Sequence, residues 1–103
     1  MKLTDILTES KSFDTFAEKR MNGAKKIADG AHEKGGPSML TYHHFIVKLP
    51  YYKKASEGNF NMEKSKKEFN ECVKQLSDDM GQVAFQKLMG RIEVLGELII
   101  KHK

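Results

Sequence analysis

The sequence predicts an all-α protein: a single small domain, built as an irregular bundle of four to five helices with a long C-terminal helix. Apolar residues recur every three or four positions in five segments, which is the period of an amphipathic helix and not that of a strand. Residues that cap or end helices lie between these segments. At 103 residues the chain has room for one core, and we expect residues 1–103 to form one domain.

Two helices are predicted in the N-terminal third. An apolar edge predicts a short helix over residues 3–9. The helical period then runs from Phe13 to Lys34, with Ser12 as its cap or a capping box at Thr15 and Glu18 as the alternative. Gly35-Gly36-Pro37 forms its end. Its later apolar positions are small and favour close approach of a neighbouring helix: Ala17, Ala24, Ala28 and Ala31.

A third helix is predicted to start at Pro37 and Ser38. The run Phe45-Ile46-Val47 would also suit a strand, because aromatic and β-branched residues are enriched in strands, so helix and strand both stay open for residues 42–49. Pro50 disfavours helical dihedral angles in the residue before it. It therefore predicts a break, followed by a short helix from Tyr51 to Ser56 that stops at Gly58.

The last two helices are predicted to begin at polar caps. The fourth begins near Asn59 or Asn61 and runs to Leu76; the fifth is capped by Ser77-Asp78-Asp79 and runs to Lys101. We expect the fifth to be the most buried, with a strand over 92–100 as a minor alternative. Its apolar seam has a 3,4,3,4 spacing: Phe85, Leu88, Ile92, Leu95 and Ile99.

Composition sets limits on location and core size. Hydrophobic residues make up 39% and charged residues 31%, which predicts a thin core under a heavily charged surface. Because Cys72 is the only cysteine, an internal disulfide is excluded, and a cytoplasmic location is expected. The N-terminus lacks the apolar run of a signal peptide, and no stretch has the length of a membrane span.

The residues that most often carry chemistry do not form a recognisable motif. On a helix the adjacent His43 and His44 point about 100° apart, so they do not favour a shared metal ion. Cys72 falls on the apolar face of its helix, where a thiol is packing and its pKa is raised. We therefore predict no enzymatic activity, no catalytic or metal-binding residues, no cofactor and no small-molecule substrate.

The aromatic and basic tract over residues 42–54 is the best candidate for a contact surface. No acidic residue occurs between Lys34 and Lys54, and the net charge is +4, with a pI near 9.2. The contact residues predicted for a partner or for nucleic acid are Lys48, Tyr51, Tyr52, Lys53 and Lys54. The favoured function is a non-enzymatic interaction or assembly module that binds a partner protein or itself, and the alternative is nucleic-acid binding through tract 42–54.

Three stretches carry a resemblance. The tract GGPSMLTYHHFIVKLPYYKKA, the preceding AKKIADGAHEK and the opening MKLTDILTES are similar to segments of small uncharacterised proteins of tailed bacteriophages, particularly marine ones. The similarity covers about residues 20–57 and contains no defined motif. It implies a phage-encoded protein in an infected bacterial cytoplasm or a virion, and it assigns no site residue.

Overall fold

The computed structural model describes residues 3–102, and for residues 3–11 the backbone alone. It contains five α-helices and one 3₁₀ turn, with no strand among the described residues. The helices are α1 (Leu3–Lys34), α2 (Met39–Ile46), α3 (Leu49–Ser56), α4 (Met62–Gln75) and α5 (Gln82–His102). The predicted all-α bundle with a long C-terminal helix is confirmed, as is helix over strand at 92–100 and in the tract 42–49.

Helix α1 is longer than predicted. It continues without a break for 32 residues, so the prediction of a separate helix over 3–9 with a new start at Ser12 is wrong. No glycine or proline interrupts residues 3–22, and a caplike serine inside a chain of helix formers is tolerated. At 1.5 Å per residue α1 is about 48 Å long.

Glycines end α1 and α3 as the sequence suggests. Gly35 and Gly36 have φ of 64° and 56° after α1, and Gly58 has φ of 79° after α3. These left-handed angles cost glycine little, which explains its position after a helix end. The break between α2 and α3 falls at Val47 and Lys48, slightly before the predicted position, and Pro50 lies in the first turn of α3.

The start of α5 also differs from prediction. Of the two caps predicted for α4, Asn59 and Asn61, it is Asn61 that accepts a hydrogen bond from the Lys64 amide. Ser77-Asp78-Asp79, by contrast, does not cap α5. The Ser77 hydroxyl accepts from the Asp79 amide at 3.2 Å inside a turn, and α5 starts only at Gln82. A serine hydroxyl that accepts a hydrogen bond within its own turn is not free to cap the next helix.

The helices surround one thin core. Helix α1 packs on α2 and α3; α5 packs on α2, α3 and α4. The principal extents are 51 × 31 × 15 Å and the radius of gyration is 15.2 Å, against about 13 Å for an ordinary domain of this length. Most helices therefore have one wide face near solvent.

Helix α5 supplies most of the large buried side chains, as predicted, but its seam is shorter than expected. Leu88, Val94, Leu95 and Leu98 are buried, whereas Phe85 near its start is 40% exposed. The predicted small face of α1 is confirmed, since its four alanines are all buried: Ala17, Ala24, Ala28 and Ala31.

Candidate functional site: the two sides of helix α3 and the groove along α1

Helix α3 divides the predicted contact tract between two sides of the molecule. Lys48 and Tyr52 line a cavity beside α1, whereas Tyr51 and Lys54 line another beside α4. Positions three or four apart share a helix face and adjacent positions do not, so the helical spacing itself separates the two pairs. The five predicted residues therefore do not form one continuous surface.

Lys48 lies inside the protein. It is only 6% exposed, its Nζ donates to Glu93 Oε1 at 2.9 Å, and it lies over the Phe45 ring at 4.7 Å from the centroid. His44 Nε2 also lies 3.1 Å from the same carboxylate oxygen. Partial burial raises the pKa of Glu93, but hydrogen bonds from Lys48 and His44 outweigh that effect and hold the pKa below its usual value.

Tyr52 connects three helices. It is 2% exposed, and its hydroxyl donates to Glu97 on α5. Arg20 on α1 donates two hydrogen bonds to the same carboxylate, from Nε to Oε1 at 3.3 Å and from Nη2 to Oε2 at 2.7 Å. Burial raises the pKa of Tyr52 strongly, and the hydrogen bond to Glu97 raises it further. The neutral hydroxyl is thus fixed as an internal donor.

Tyr51 forms the equivalent link on the α4 side. Its hydroxyl donates to Glu68 Oε2 and accepts from Arg91 Nε at 3.1 Å, while Arg91 Nη2 lies 3.3 Å from the same Glu68 oxygen. Burial is the largest cause that raises the pKa of Tyr51. Both tyrosines thus have their hydroxyl groups occupied by neighbouring helices.

Lys53 and Lys54 are the exposed members of the predicted tract. With Tyr52 buried and Tyr51 only half-buried, no pair of open aromatic rings accompanies these lysines. Contact of the five residues with a partner or with nucleic acid stays a prediction. The burial of Lys48 and Tyr52 means that a partner would meet mainly Lys53 and Lys54.

His43, His44 and Cys72 all contact neighbouring side chains. His44 reaches α5, where its Nδ1 lies 3.2 Å from Gln86 Oε1, whereas His43 packs edge-on against Tyr42. Cys72 is 1% exposed, and burial is the main cause that raises the pKa of its thiol. Among the side chains of residues 12–102, no three metal-ligating groups come together.

A concave surface runs along α1. Two cavities of about 300 and 320 Å³ adjoin at Ile27, which is 46% exposed. We call this surface the α1 groove. Its apolar centre combines Ile27, Ala24 and Ala31 with Phe45 of α2, and Gly23 and Gly30 keep its α1 wall low.

The basic rim of the α1 groove was missed by reasoning from the sequence. Lys19, Lys26 and Lys34 line it and form no ion pair within the described part of the chain. Their spacing of seven and eight residues keeps them near one face of a helix, which is the signal that the sequence offered. The acidic residues of the same stretch do not line the groove: Glu18, Asp29 and Glu33.

The two other cations at the α1 groove already have partners. Arg20 is paired with Glu97 and Lys48 with Glu93. The unbalanced charge of the groove is therefore carried by the three lysines, spread over fifteen residues or about 22 Å of helix.

Two further findings concern membrane-spanning helices and similarity to known proteins. No helix among residues 3–102 is long and apolar enough to cross a membrane. Comparison with protein-family models, with characterised proteins and with solved structures finds no match.

Proposed function

We propose that this protein is a non-enzymatic interaction module that binds an acidic amphipathic helix of a partner protein in the α1 groove. The observation that carries the proposal is the combination of an apolar centre at Ile27 with a rim of three unpaired lysines and no lining carboxylate among the described residues. The weak resemblance to phage proteins supports a phage-encoded module that works in the infected cytoplasm or in a virion.

The groove has the dimensions of a site for one helix. A helix of about four turns matches its length, and apolar side chains at positions i, i+3 and i+7 would meet the exposed side of Ile27 and the half-buried Phe45. Carboxylates along the edge of that helix would lie beside Lys19, Lys26 and Lys34. Because these charges are exposed to solvent, they contribute more to association rate and selectivity than to affinity.

A partner protein fits this surface better than a second copy does. In a two-fold symmetric contact through the groove, the same lysine rim would approach itself across the axis. Like charges at an interface oppose association. A distinct acidic partner meets no such repulsion.

Nucleic acid is the second candidate, and the lysine row is the observation that favours it, because phosphates would also be attracted to unpaired lysines. Sequence-tolerant binding to single strands relies on bases stacked on exposed aromatic rings. The buried Tyr52 and the hydrogen-bonded Tyr51 do not supply such rings. We therefore rank a protein partner first.

The test is a fluorescence anisotropy titration with four probes: a labelled acidic amphipathic peptide, the same peptide with lysine in place of glutamate, a single-stranded oligonucleotide and a duplex. We expect the acidic peptide to bind with an affinity that falls as salt is added. Ile27→Glu, at a site that is 46% exposed, should weaken binding at least about tenfold. Val73→Glu, on α4 and 43% exposed, is the matched control and should bind like the parent.

Three outcomes would overturn the proposal. Equal loss of binding in both variants would show that the α1 groove is not the site. Tighter binding of either oligonucleotide than of the acidic peptide would favour the second candidate. A dimer in sedimentation equilibrium that Ile27→Glu dissociates would make a second copy the occupant.

A further inference from the structure

A second, smaller cavity lies on the opposite side of α3 from the α1 groove, between α3, the first turns of α4 and the last turns of α5. We call it the α4 pocket. Its volume is about 130 Å³. An apolar cavity of about 150 Å³ in another protein holds one benzene molecule, so the α4 pocket has room for a single ring or a branched aliphatic group.

The floor of the α4 pocket is apolar. It is formed by Leu95 and Leu98, each 1% exposed, and by Phe60 from the α3–α4 loop. Phe60 is held in place by Phe13 and His102, whose ring centroids lie 5.4 Å and 4.8 Å from its own. This floor is part of the core, so an apolar group placed on it would contact a fixed surface.

The mouth of the α4 pocket carries positive charge. Lys54 of α3 and Lys64 of α4 line it, are exposed, and form no ion pair within residues 12–102. The one carboxylate in the lining is Glu68, which is already occupied by Arg91 and by the Tyr51 hydroxyl. The positive charges of Lys54 and Lys64 are therefore not neutralised by a carboxylate of the pocket lining.

Further polar groups surround the lysines at the mouth. Ser65, Asn59 and Asn61 also line the pocket, and Asn61 caps the N-terminus of α4. The positive end of the α4 dipole therefore lies beside the lysines and adds to the local potential. An apolar floor with a few convergent polar groups at its mouth is the usual construction of a small-ligand site.

We infer that the α4 pocket binds a small carboxylate whose apolar part is the size of one ring, with its ring on Leu95 and Leu98 and its carboxylate between Lys54 and Lys64. The same chemistry is offered by a free aromatic acid and by the C-terminal phenylalanine of a peptide. This inference is independent of the α1 groove, which lies on the other side of α3.

The experiment is a ¹H–¹⁵N correlation NMR titration of the full chain with phenylacetate. Benzylamine, of similar size and opposite charge, and phenylacetamide, which is neutral, are the probe controls. A short peptide that ends in phenylalanine, free or amidated, separates the two sources of the carboxylate. We expect phenylacetate to move the amide signals of Asn61, Ser65 and Leu98 in a saturable way, and benzylamine to leave them unchanged.

Two double lysine variants distinguish the effect of charge at the pocket mouth from a general effect of removing surface charge. Lys54→Gln combined with Lys64→Gln should weaken phenylacetate binding about tenfold, since it removes two charge-assisted contacts. Lys66→Gln combined with Lys67→Gln removes two exposed lysines of the same helix that do not line the pocket and should change binding less than about twofold. Ser65→Leu, which narrows the cavity, should weaken all ring-bearing probes.

Three results would overturn the inference: no saturable shift with either phenylacetate or the peptide that has a free carboxylate, equal affinity for phenylacetate and phenylacetamide, or equal loss of binding in the two double lysine variants. All four lysines are exposed and unpaired within the described residues, so the spectra of both double variants should retain the dispersion of the parent. Binding only of the peptide with a free carboxylate would identify a chain terminus as the source; equal binding of free phenylacetate would identify a small molecule.

Discussion

Helices α1 and α5 both contain glycines in their interiors, yet the surroundings of these glycines are opposite. A Cβ at Gly90 of α5 would lie 2.2 Å from the His44 carbonyl oxygen and 2.6 Å from Val47 Cγ2. A Cβ at Gly23 or Gly30 of α1 would meet nothing within 4 Å. On α5 the glycine permits close contact with the end of α2, whereas on α1 the glycines leave an open groove.

This difference shows how to interpret a glycine inside a predicted helix. Each costs up to about 1 kcal/mol relative to alanine. At Gly90 the close approach of α2 accounts for that cost. At Gly23 and Gly30 no atom of the described residues accounts for it, and both glycines line the α1 groove. The comparison can be tested by four sets of substitutions, from the largest expected effect to the smallest.

Gly90→Ala should have the largest effect. The added methyl group collides with a backbone carbonyl that cannot rotate away, so α2 must move from α5, and we expect a loss of about 2 kcal/mol in the free energy of unfolding. Urea unfolding followed by circular dichroism measures it. Gly96→Ala is the control with a milder contact, 3.3 Å from Phe69 Cε2, and should lose less. Equal stability of Gly90→Ala and the parent would contradict the close contact.

Tyr52→Phe tests the link that joins α1 to α5. It removes the donor to Glu97 while Arg20 still holds that carboxylate, and we expect a loss of about 1 kcal/mol. Because burial raises the folded-state pKa of Tyr52, the unfolded chain loses its proton first as pH rises. The contribution of Tyr52 to stability is therefore fully present below about pH 10 and is lost as the pH rises above that value.

The alkaline dependence is measured by urea unfolding at a series of pH values from 8 to 11.5. Tyr51, whose pKa is also raised, should leave part of the fall above about pH 10 in place in Tyr52→Phe. The variant should thus lose stability less steeply than the parent. If stability fell as steeply with pH in Tyr52→Phe as in the parent, the fold would not be holding the Tyr52 hydroxyl of the parent protonated.

Gly23→Ala and Gly30→Ala test the open side, and their expected sign is opposite to that of Gly90→Ala. Helix propensity should increase stability by about 0.5 to 1 kcal/mol for each, since no neighbouring atom opposes the new methyl group. Thermal unfolding by calorimetry gives the comparison. A loss of stability at either position would mean that the groove is closed in solution.

Glu93→Gln should have the smallest effect at neutral pH. Its carboxylate pairs with the buried Lys48, but the Glu93 side chain is 49% exposed, so solvent reduces the contribution to about 0.5 kcal/mol. Because the folded-state pKa of Glu93 is lowered, its contribution is present above the unfolded value of about 4.3 and is lost as pH falls below it. Unfolding at pH 7 and at pH 3.5 should show the difference between parent and variant shrinking.

Local chemistry was sufficient to predict most of the fold. The helical period of the apolar residues, Asn61 as a cap and the glycines at 35, 36 and 58 act within a few residues of chain, and each was found as expected. The failures involve choices between local alternatives. Ser12 and Ser77 have the side chains of helix caps, but one continues a helix and the other closes its own turn.

The candidate sites depended on information that local pattern does not contain. Lys48 and Tyr52 resemble a solvated contact surface in sequence, but Lys48 directly precedes α3, Tyr52 lies within it, and both side chains are buried. The lysines of the α1 groove were visible at spacings of seven and eight residues. Only the packing of α2 and α3 beside them gave that row an apolar floor.

The sequence by itself determined the helical class, the single cysteine, the basic balance and the positions of most helix ends, because these depend on composition and on contacts between near neighbours. Tertiary structure decided which basic side chains around the α1 groove keep an unpaired charge. Glu93 and Glu97 on α5 neutralise Lys48 and Arg20 across separations of 45 and 77 residues, and leave Lys19, Lys26 and Lys34 unpaired among the described residues. Pairing across such distances is fixed only when the helices pack.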